Sequence, residues 1–165
     1  MALDKLCPIR SPSTNVASAE RGFGRDLVGT LYKDDASDAV FKLAYCLDGD
    51  CTAGRLVGVD VSAVSGTQAL SIEICPANGY PVGVAKCTFA SASFGLVQVS
   101  GYNASAVAGV TLPAAGSLIV AAATAGSCAL ADLTTASHAA RVAGVCLTAP
   151  AASADAFAMF IKGIL

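Results

Sequence analysis

The stretch Phe94-Gly95-Leu96-Val97-Gln98-Val99-Ser100 decides the fold of this chain. Its side chains alternate between two faces with a period of two, which is typical of a β-strand that buries one face. Leu70-Ser71-Ile72-Glu73-Ile74 repeats the pattern, with isoleucine on one face and serine or glutamate on the other. These two stretches favour strands over helices in the middle of the chain.

Further runs of this kind lie on both sides, and turn residues such as Asp48-Gly49-Asp50 and Asn78-Gly79 separate them. An Asn-Gly turn between two such runs predicts a hairpin. Strands at intervals of about 8–12 residues are typical of a sandwich or a barrel. We therefore predict an all-β fold of mainly antiparallel short strands, with at most one short helix near 134–140 that Thr134 or Thr135 caps. The predicted strands are 27–32, 39–47, 55–61, 69–75, 82–87, 94–100, 105–112, 117–122, 139–148 and 157–165.

The second half of the chain resembles the first at an offset of about 61 residues. The matching segments are 52–58 with 114–120, 82–85 with 143–146, and 94–99 with 157–162. A duplicated β unit would explain the resemblance, with repeats over about 26–101 and 102–165. Chance similarity between segments rich in Ala, Gly and Val is the alternative.

The composition excludes several classes of protein. The 165 residues include 55% hydrophobic and only 13% charged side chains, whereas a disordered chain needs the opposite balance. No apolar run reaches about 18 residues, so no membrane-spanning helix is expected. The net charge of −2 gives no general attraction to nucleic acid or to a membrane. With so few charges, either the surface is rich in Ser, Thr, Gly and Ala or an apolar part of it is buried against copies or partners, and we favour the second.

Residues 1–25 differ from the rest of the chain, because they are rich in turn residues and show no periodicity. We interpret them as an extended N-terminal arm that precedes a β domain over 26–165. The arm has a basic bias from Lys5, Arg10, Arg21 and Arg25, and its functional interpretation is a segment that becomes ordered on a neighbouring subunit. A frayed terminus is the alternative.

The sequence contains no motif that predicts catalysis. Its one histidine, His138, lies in a turn-like stretch, and no Gly-x-Ser-x-Gly motif presents a serine nucleophile. The seven cysteines are widely spaced and include no Cys-x-x-Cys pair, so they predict no zinc site. No glycine-rich phosphate loop occurs. We therefore expect no enzyme, no cofactor and no bound metal, with a small hydrolase that uses His138 as an alternative.

Cys46 and Cys51 flank Leu47-Asp48-Gly49-Asp50, which is predicted to be a hairpin turn. A disulfide across this hairpin and a cation bound by the two turn carboxylates are both open alternatives to a solvated turn between reduced thiols. Reduced thiols are the default expectation, because Met1-Ala2-Leu3-Asp4-Lys5 does not follow the plan of a secretion signal.

Several segments together resemble the head decoration, or cement, proteins of tailed bacteriophages. They are 94–101, with the form aromatic-Gly-x-Val-Gln-Val-x-Gly, then 104–110, the turn 114–118 and the late strand 143–147, with 82–85 ahead of them. The resemblance covers roughly residues 50–165. Ser117 stands where that family often has Asp after its Ala-Gly turn.

The resemblance implies a structural role. Such proteins typically form trimers on the outer capsid, where major capsid subunits meet, and clamp the shell against internal DNA pressure. It implies that the partners are the major capsid protein and copies of this chain, with Lys5, Arg10, Arg21 and Arg25 as candidate contact residues for the capsid or a neighbouring subunit. The net charge of −2 separately predicts that neither nucleic acid nor a membrane is a partner. The chain would be made in the host cytoplasm and reside on the exterior of the virion. Another head-fibre or tail component is the nearest alternative, and a carbohydrate-binding module is disfavoured because the chain has no Trp to stack on sugars.

Overall fold

The computed structural model describes residues 31–34, 38–46, 50–59 and 71–162. The predicted arm, with Lys5, Arg10, Arg21 and Arg25, lies outside the described residues, and its boundary at residue 25 stays a prediction. The elements are β1 (Leu31–Asp34), β2 (Ala39–Cys46), β3 (Leu56–Val59), β4 (Ser71–Ile74), β5 (Pro81–Ala85), β6 (Ser93–Val107), β7 (Leu118–Ala121), β8 (Cys128–Leu130), α1 (Ala136–Ala139), β9 (Gly144–Cys146) and β10 (Ala156–Lys162).

The strands form one sheet in the order β1-β2-β4-β3-β5-β6-β10-β9-β7-β8. A further pairing between β2 and β6 closes β2, β4, β3, β5 and the first half of β6 into a five-stranded barrel, which we call the first strand set. Among the described strands the pairings are antiparallel, except that β2 runs parallel to β4. The all-β, mainly antiparallel prediction is therefore confirmed, and a barrel rather than a sandwich is formed.

β1 extends the sheet beyond β2. The other strands form a second strand set, made of the last half of β6 with β8, β7, β9 and β10. β7, β9 and β10 lie side by side as β3, β5 and β6 do, again antiparallel. Leu56 pairs with Val84 in the first set, and Leu118 pairs with Val145 in the second. Ala108 makes a parallel bridge to Cys128, at the place where β2 pairs with β4 in the first set.

The backbone hydrogen bonds of the two strand sets also correspond. Gly54 donates its N–H to the carbonyl of Ala85 at 2.9 Å, and Gly116 donates to that of Cys146 at 2.8 Å. Both glycines have positive φ, at +77° and +82°, which a side chain would disfavour. The segments 52–58 and 114–120, and likewise 82–85 and 143–146, therefore occupy equivalent places in the sheet. The segments 94–99 and 157–162 lie on equivalent strands, but their sequence match is shifted by one residue, because Gln98 pairs with Val84 and Phe160, rather than Ile161, pairs with Val145.

Each strand set has its own core. The first contains Val57, Ile72, Val97 and Val99 on the inner faces of the barrel strands. The second contains Ile119, Cys128, Met159 and Ile161, and it also includes Leu56 and Val84 from the outer face of the first set. The two sets are thus joined by apolar packing as well as through β6, and burial of these aliphatic side chains stabilises the fold by about 1.5–3 kcal/mol each.

Two local predictions are wrong, and one strand was missed. The predicted strands 94–100 and 105–112 are joined in the single strand β6, because the chain bends at Gly101 (φ +92°) without leaving the sheet. Strand β8 was not predicted. Asn78-Gly79 does form a turn, but the strands on either side of it, β4 and β5, each pair with β3 rather than with each other.

The short helix is confirmed as α1, with Thr135 at its N-cap position. The Thr135 side chain makes no capping hydrogen bond. In the part of the chain that the structure describes, no helix is long and apolar enough to cross a membrane.

Candidate interaction surface

A row of apolar side chains crosses the outer face of the second strand set. Leu118, Val145, Phe160 and Tyr102 are consecutive partners across β7, β9, β10 and β6. Directly paired residues share one face of a sheet, so their side chains lie next to one another. Phe160 and Tyr102 are each 49% exposed, and Leu118 and Val145 are half-buried. We call these four residues the apolar row.

The equivalent row of the first strand set is buried. It consists of Leu56, Val84, Gln98 and Phe41, paired in the same way across β3, β5, β6 and β2. Leu56 and Val84 are at most 1% exposed, because the core of the second strand set covers them. The row of the first strand set is therefore covered by other residues of the chain, whereas the equivalent apolar row of the second strand set is exposed.

The apolar row continues at its edges. Leu147 follows β9 and is exposed, and Lys162, two residues after Phe160 on the same strand, is also exposed. The aliphatic stem of such a lysine can extend over apolar surface while its ammonium stays in water. Exposed aromatic residues beside half-buried aliphatic ones are typical of a protein–protein interface core.

Gln98 and Asn103 form a buried polar link between the two strand sets. Asn103 Nδ2 donates to Gln98 Oε1 at 2.9 Å, and Gln98 Nε2 donates to the Tyr102 carbonyl at 2.8 Å. Asn103 Oδ1 in turn accepts from the Ser105 N–H at 2.9 Å. These bonds pair polar groups that burial would otherwise leave without water, and they fix the bend of β6 from which Tyr102 projects.

His138 has a structural contact in the fold. It lies in α1, and its Nδ1 accepts a hydrogen bond from the Asp132 N–H at 3.0 Å. Asp132 accepts from the hydroxyl of Thr134 at 2.6 Å, and this bond is the main cause that lowers the pKa of the Asp132 carboxyl below its usual value. These bonds order the loop ahead of α1.

Three of the buried cysteines, Cys75, Cys128 and Cys146, are poorly suited to nucleophilic chemistry. Desolvation raises the pKa of Cys75 to about 11, with a further contribution from Glu73. Burial likewise raises the pKa of the Cys128 and Cys146 thiols. A thiolate is the reactive form of cysteine, so these three side chains remain protonated thiols near neutral pH.

The sequence did not identify the apolar row. The predicted contact residues Lys5, Arg10, Arg21 and Arg25 lie outside the described residues. The internal repeat did contain a usable signal, because it matches Leu118 and Val145 to Leu56 and Val84. The repeat does not show how one strand set packs on the other. That packing determines which of the two rows stays exposed.

The fold is shared with a known structure. No family model and no curated protein matches the chain. The crystal structure of the head fiber gp8.5 N base in bacteriophage phi29 is similar, with a TM-score of 0.54 and 16% sequence identity. The likeness covers 75% of this chain and 94% of that chain. At this identity it shows a common fold.

Proposed function

We propose that this protein is a structural component of a bacteriophage head, carried on the outer shell and acting by binding rather than by catalysis. The observation that carries the proposal is the fold shared with the phi29 head fiber N base over 94% of that chain. The resemblance of the strand motifs to phage head decoration proteins points to the same class of particle. The protein would be made in the host cytoplasm and incorporated into the virion.

Self-association is the first part of the proposed mechanism. The apolar row offers each copy an exposed aromatic pair, Phe160 and Tyr102, flanked by aliphatic side chains. Burial of such a patch between subunits removes apolar surface from water and favours association. A homotrimer, as in the decoration proteins that the sequence resembles, would present one face to the shell.

Contact with the capsid is the second part. The basic N-terminal arm, with Lys5, Arg10, Arg21 and Arg25, is proposed to bind the major capsid protein. A segment of this kind can order on a partner surface when it binds. Its positive charges would favour an acidic surface on the capsid subunits.

The base of a head fibre is the second candidate function. The similar structure favours it, because that protein is itself the base of a head fiber. A decoration protein and a fibre base differ in what they carry above the shell and share the need to bind it. Images of particles that contain the protein would separate the two: globular knobs at the lattice points support decoration, and protruding fibres above the same density support a fibre base.

The solution mass of the purified protein tests self-association. Light scattering is measured on the full chain and on a chain that starts at residue 26. If the β domain forms the trimer, the full chain is expected at about 49 kDa, three times 16.3 kDa, and the truncated chain is expected at three times its own, smaller mass. Monomers of both chains, with the full chain at 16.3 kDa, would contradict the proposed trimer. A trimer lost on truncation would assign residues 1–25 to holding the subunits together.

Binding to heads that lack the protein tests the capsid contact. The protein is mixed with such heads, the heads are pelleted, and the bound fraction is measured. A variant with Lys5, Arg10, Arg21 and Arg25 each changed to Glu is expected to keep its oligomeric mass and to lose binding. Lys33→Glu, compared with each of the four arm substitutions made singly, is the control, because Lys33 is an exposed cation on β1 that pairs with Asp38 at 3.2 Å. Equal binding by the arm variant and the control would remove the arm from the proposed contact.

A further inference from the structure

The thiols of Cys46 and Cys51 are in contact at the end of β2 in the five-stranded barrel. Cys46 is the last residue of β2, and Cys51 forms an antiparallel bridge with Phe89. Their Sγ atoms are 3.1 Å apart, and both side chains are fully buried. A disulfide bond is about 2.05 Å long, so the two sulfurs need to approach by only about 1 Å to be joined.

We propose that Cys46 and Cys51 are a site of intramolecular disulfide formation, with a small-molecule disulfide such as oxidised glutathione as the oxidant. This site goes beyond the proposed function and does not depend on it. The bond would tie the end of β2 to the segment that pairs with Phe89. Phe89 and both cysteines belong to the same buried core cluster, so the crosslink would lie within the core of the barrel.

The exchange proceeds in two steps. The thiolate of one cysteine, after losing its proton to solvent, attacks a sulfur of oxidised glutathione, forms a mixed disulfide and releases one glutathione thiolate. The second cysteine, also deprotonated, then attacks the protein sulfur of the mixed disulfide and releases the second glutathione thiolate. Two electrons pass to the glutathione disulfide, and the two protons lost by the cysteines balance the two thiolates formed.

Burial controls the rate of this reaction. The hydrogen bond with Cys46 and desolvation raise the pKa of the Cys51 thiol, so its thiolate is rare in the closed barrel. Oxidation is therefore expected to be slow in the folded protein and faster while the chain folds. The contact between the sulfurs selects the pair, whereas Cys75, Cys128 and Cys146 lie in the core of the other strand set.

Peptide mapping tests the proposal on the full chain. Trypsin cleaves after Lys42 and Arg55, so a single peptide, 43–55, contains both cysteines. The protein is treated with oxidised glutathione, either folded or during refolding from denaturant, and remaining thiols are alkylated under denaturing conditions. Peptide 43–55 is expected to lose about 2 Da and to carry no alkyl group, and dithiothreitol is expected to reverse both changes.

Two variants make the test specific. Cys51→Ser is expected to abolish the mass loss and to leave Cys46 alkylated or linked to glutathione. Cys75→Ser is the control and is expected to keep the mass loss. Two alkyl groups on peptide 43–55 in both the folded and the refolding samples would overturn the proposal, and so would a crosslink from either cysteine to a different peptide.

Discussion

Gly95 has no side chain, and this absence makes room for the Phe89 ring in the core of the five-stranded barrel. A Cβ placed on this residue would overlap the ring of Phe89, which is fully buried. That ring cannot easily withdraw, because the backbone of Phe89 exchanges hydrogen bonds with Cys51 at 2.9 and 3.0 Å. The alternating stretch around Gly95 therefore leaves room on its inner face for an aromatic residue from another segment.

Gly95→Ala is expected to destabilise the protein by about 1–3 kcal/mol, because the added methyl group forces the ring out of its place. Unfolding by guanidinium chloride, followed by circular dichroism, measures the change. Phe89→Leu in the same chain is the informative partner, since the smaller side chain gives the methyl group space. The double variant is expected to lose less than the sum of the two single losses. Strictly additive losses would show that Gly95 and Phe89 do not share this space.

Single residues also mark the limit of prediction from sequence. The period-two pattern correctly placed residues 94–100 in a strand, because alternation follows directly from strand geometry. Phe89 lay outside every predicted strand, since one bridge to Cys51 leaves no periodic pattern to detect. Its place in the core follows from tertiary packing, which local sequence does not encode.

Strand β6 is the element that joins the two strand sets. The residue types of Gly101-Tyr102-Asn103 are typical of a turn. In the structure, however, β6 continues through these residues and pairs with β10 as far as Val107. A turn and a bent strand use the same residue types, so sequence could not distinguish them. The distinction rests on the partner β10, which supplies hydrogen bonds on the far side of the bend.

The Gln98–Asn103 pair is expected to hold that bend as a unit. Gln98→Leu leaves the Asn103 amide and the Tyr102 carbonyl without their bonds, and is expected to cost about 1–3 kcal/mol of unfolding free energy. Asn103→Leu is expected to cost a similar amount. Because the two side chains satisfy each other, the double variant should be less destabilised than the sum, as chemical denaturation of all four proteins would measure. An unchanged unfolding free energy of the Gln98→Leu variant would mean that water satisfies the Asn103 amide and the Tyr102 carbonyl at no cost.

At the largest scale, the described part of the chain contains two similar strand sets whose equivalent faces differ in what covers them. The repeat in the sequence matches the strands of one set to those of the other, but identical strands would still differ in what covers them. The row with Leu56 and Val84 is buried by the second set, and nothing in the described part of the chain covers the apolar row in the same way. Which row is open is a property of the assembled chain, and this is why the candidate surface emerged only from the structure.

Phe160→Ser tests whether that open row holds copies of the protein together. The side chain is half exposed, so the variant is expected to fold with only a small change in stability, measured by thermal unfolding. If the row forms the subunit contact, loss of a central aromatic residue weakens association by about tenfold or more. Light scattering over a dilution series would then show the variant dissociating at concentrations where the natural protein stays assembled.

Val110→Ser provides the control for that experiment. Val110 is 78% exposed but lies outside the apolar row, so its replacement removes an exposed apolar group, smaller than a phenyl ring, from a different part of the surface. The control is expected to dissociate at the same concentration as the natural protein. If Phe160→Ser and Val110→Ser behave alike while the natural protein is oligomeric, the contact between copies is elsewhere. The apolar row would then be available to a different partner, and the head-binding assay with Phe160→Ser would test whether that partner is the capsid.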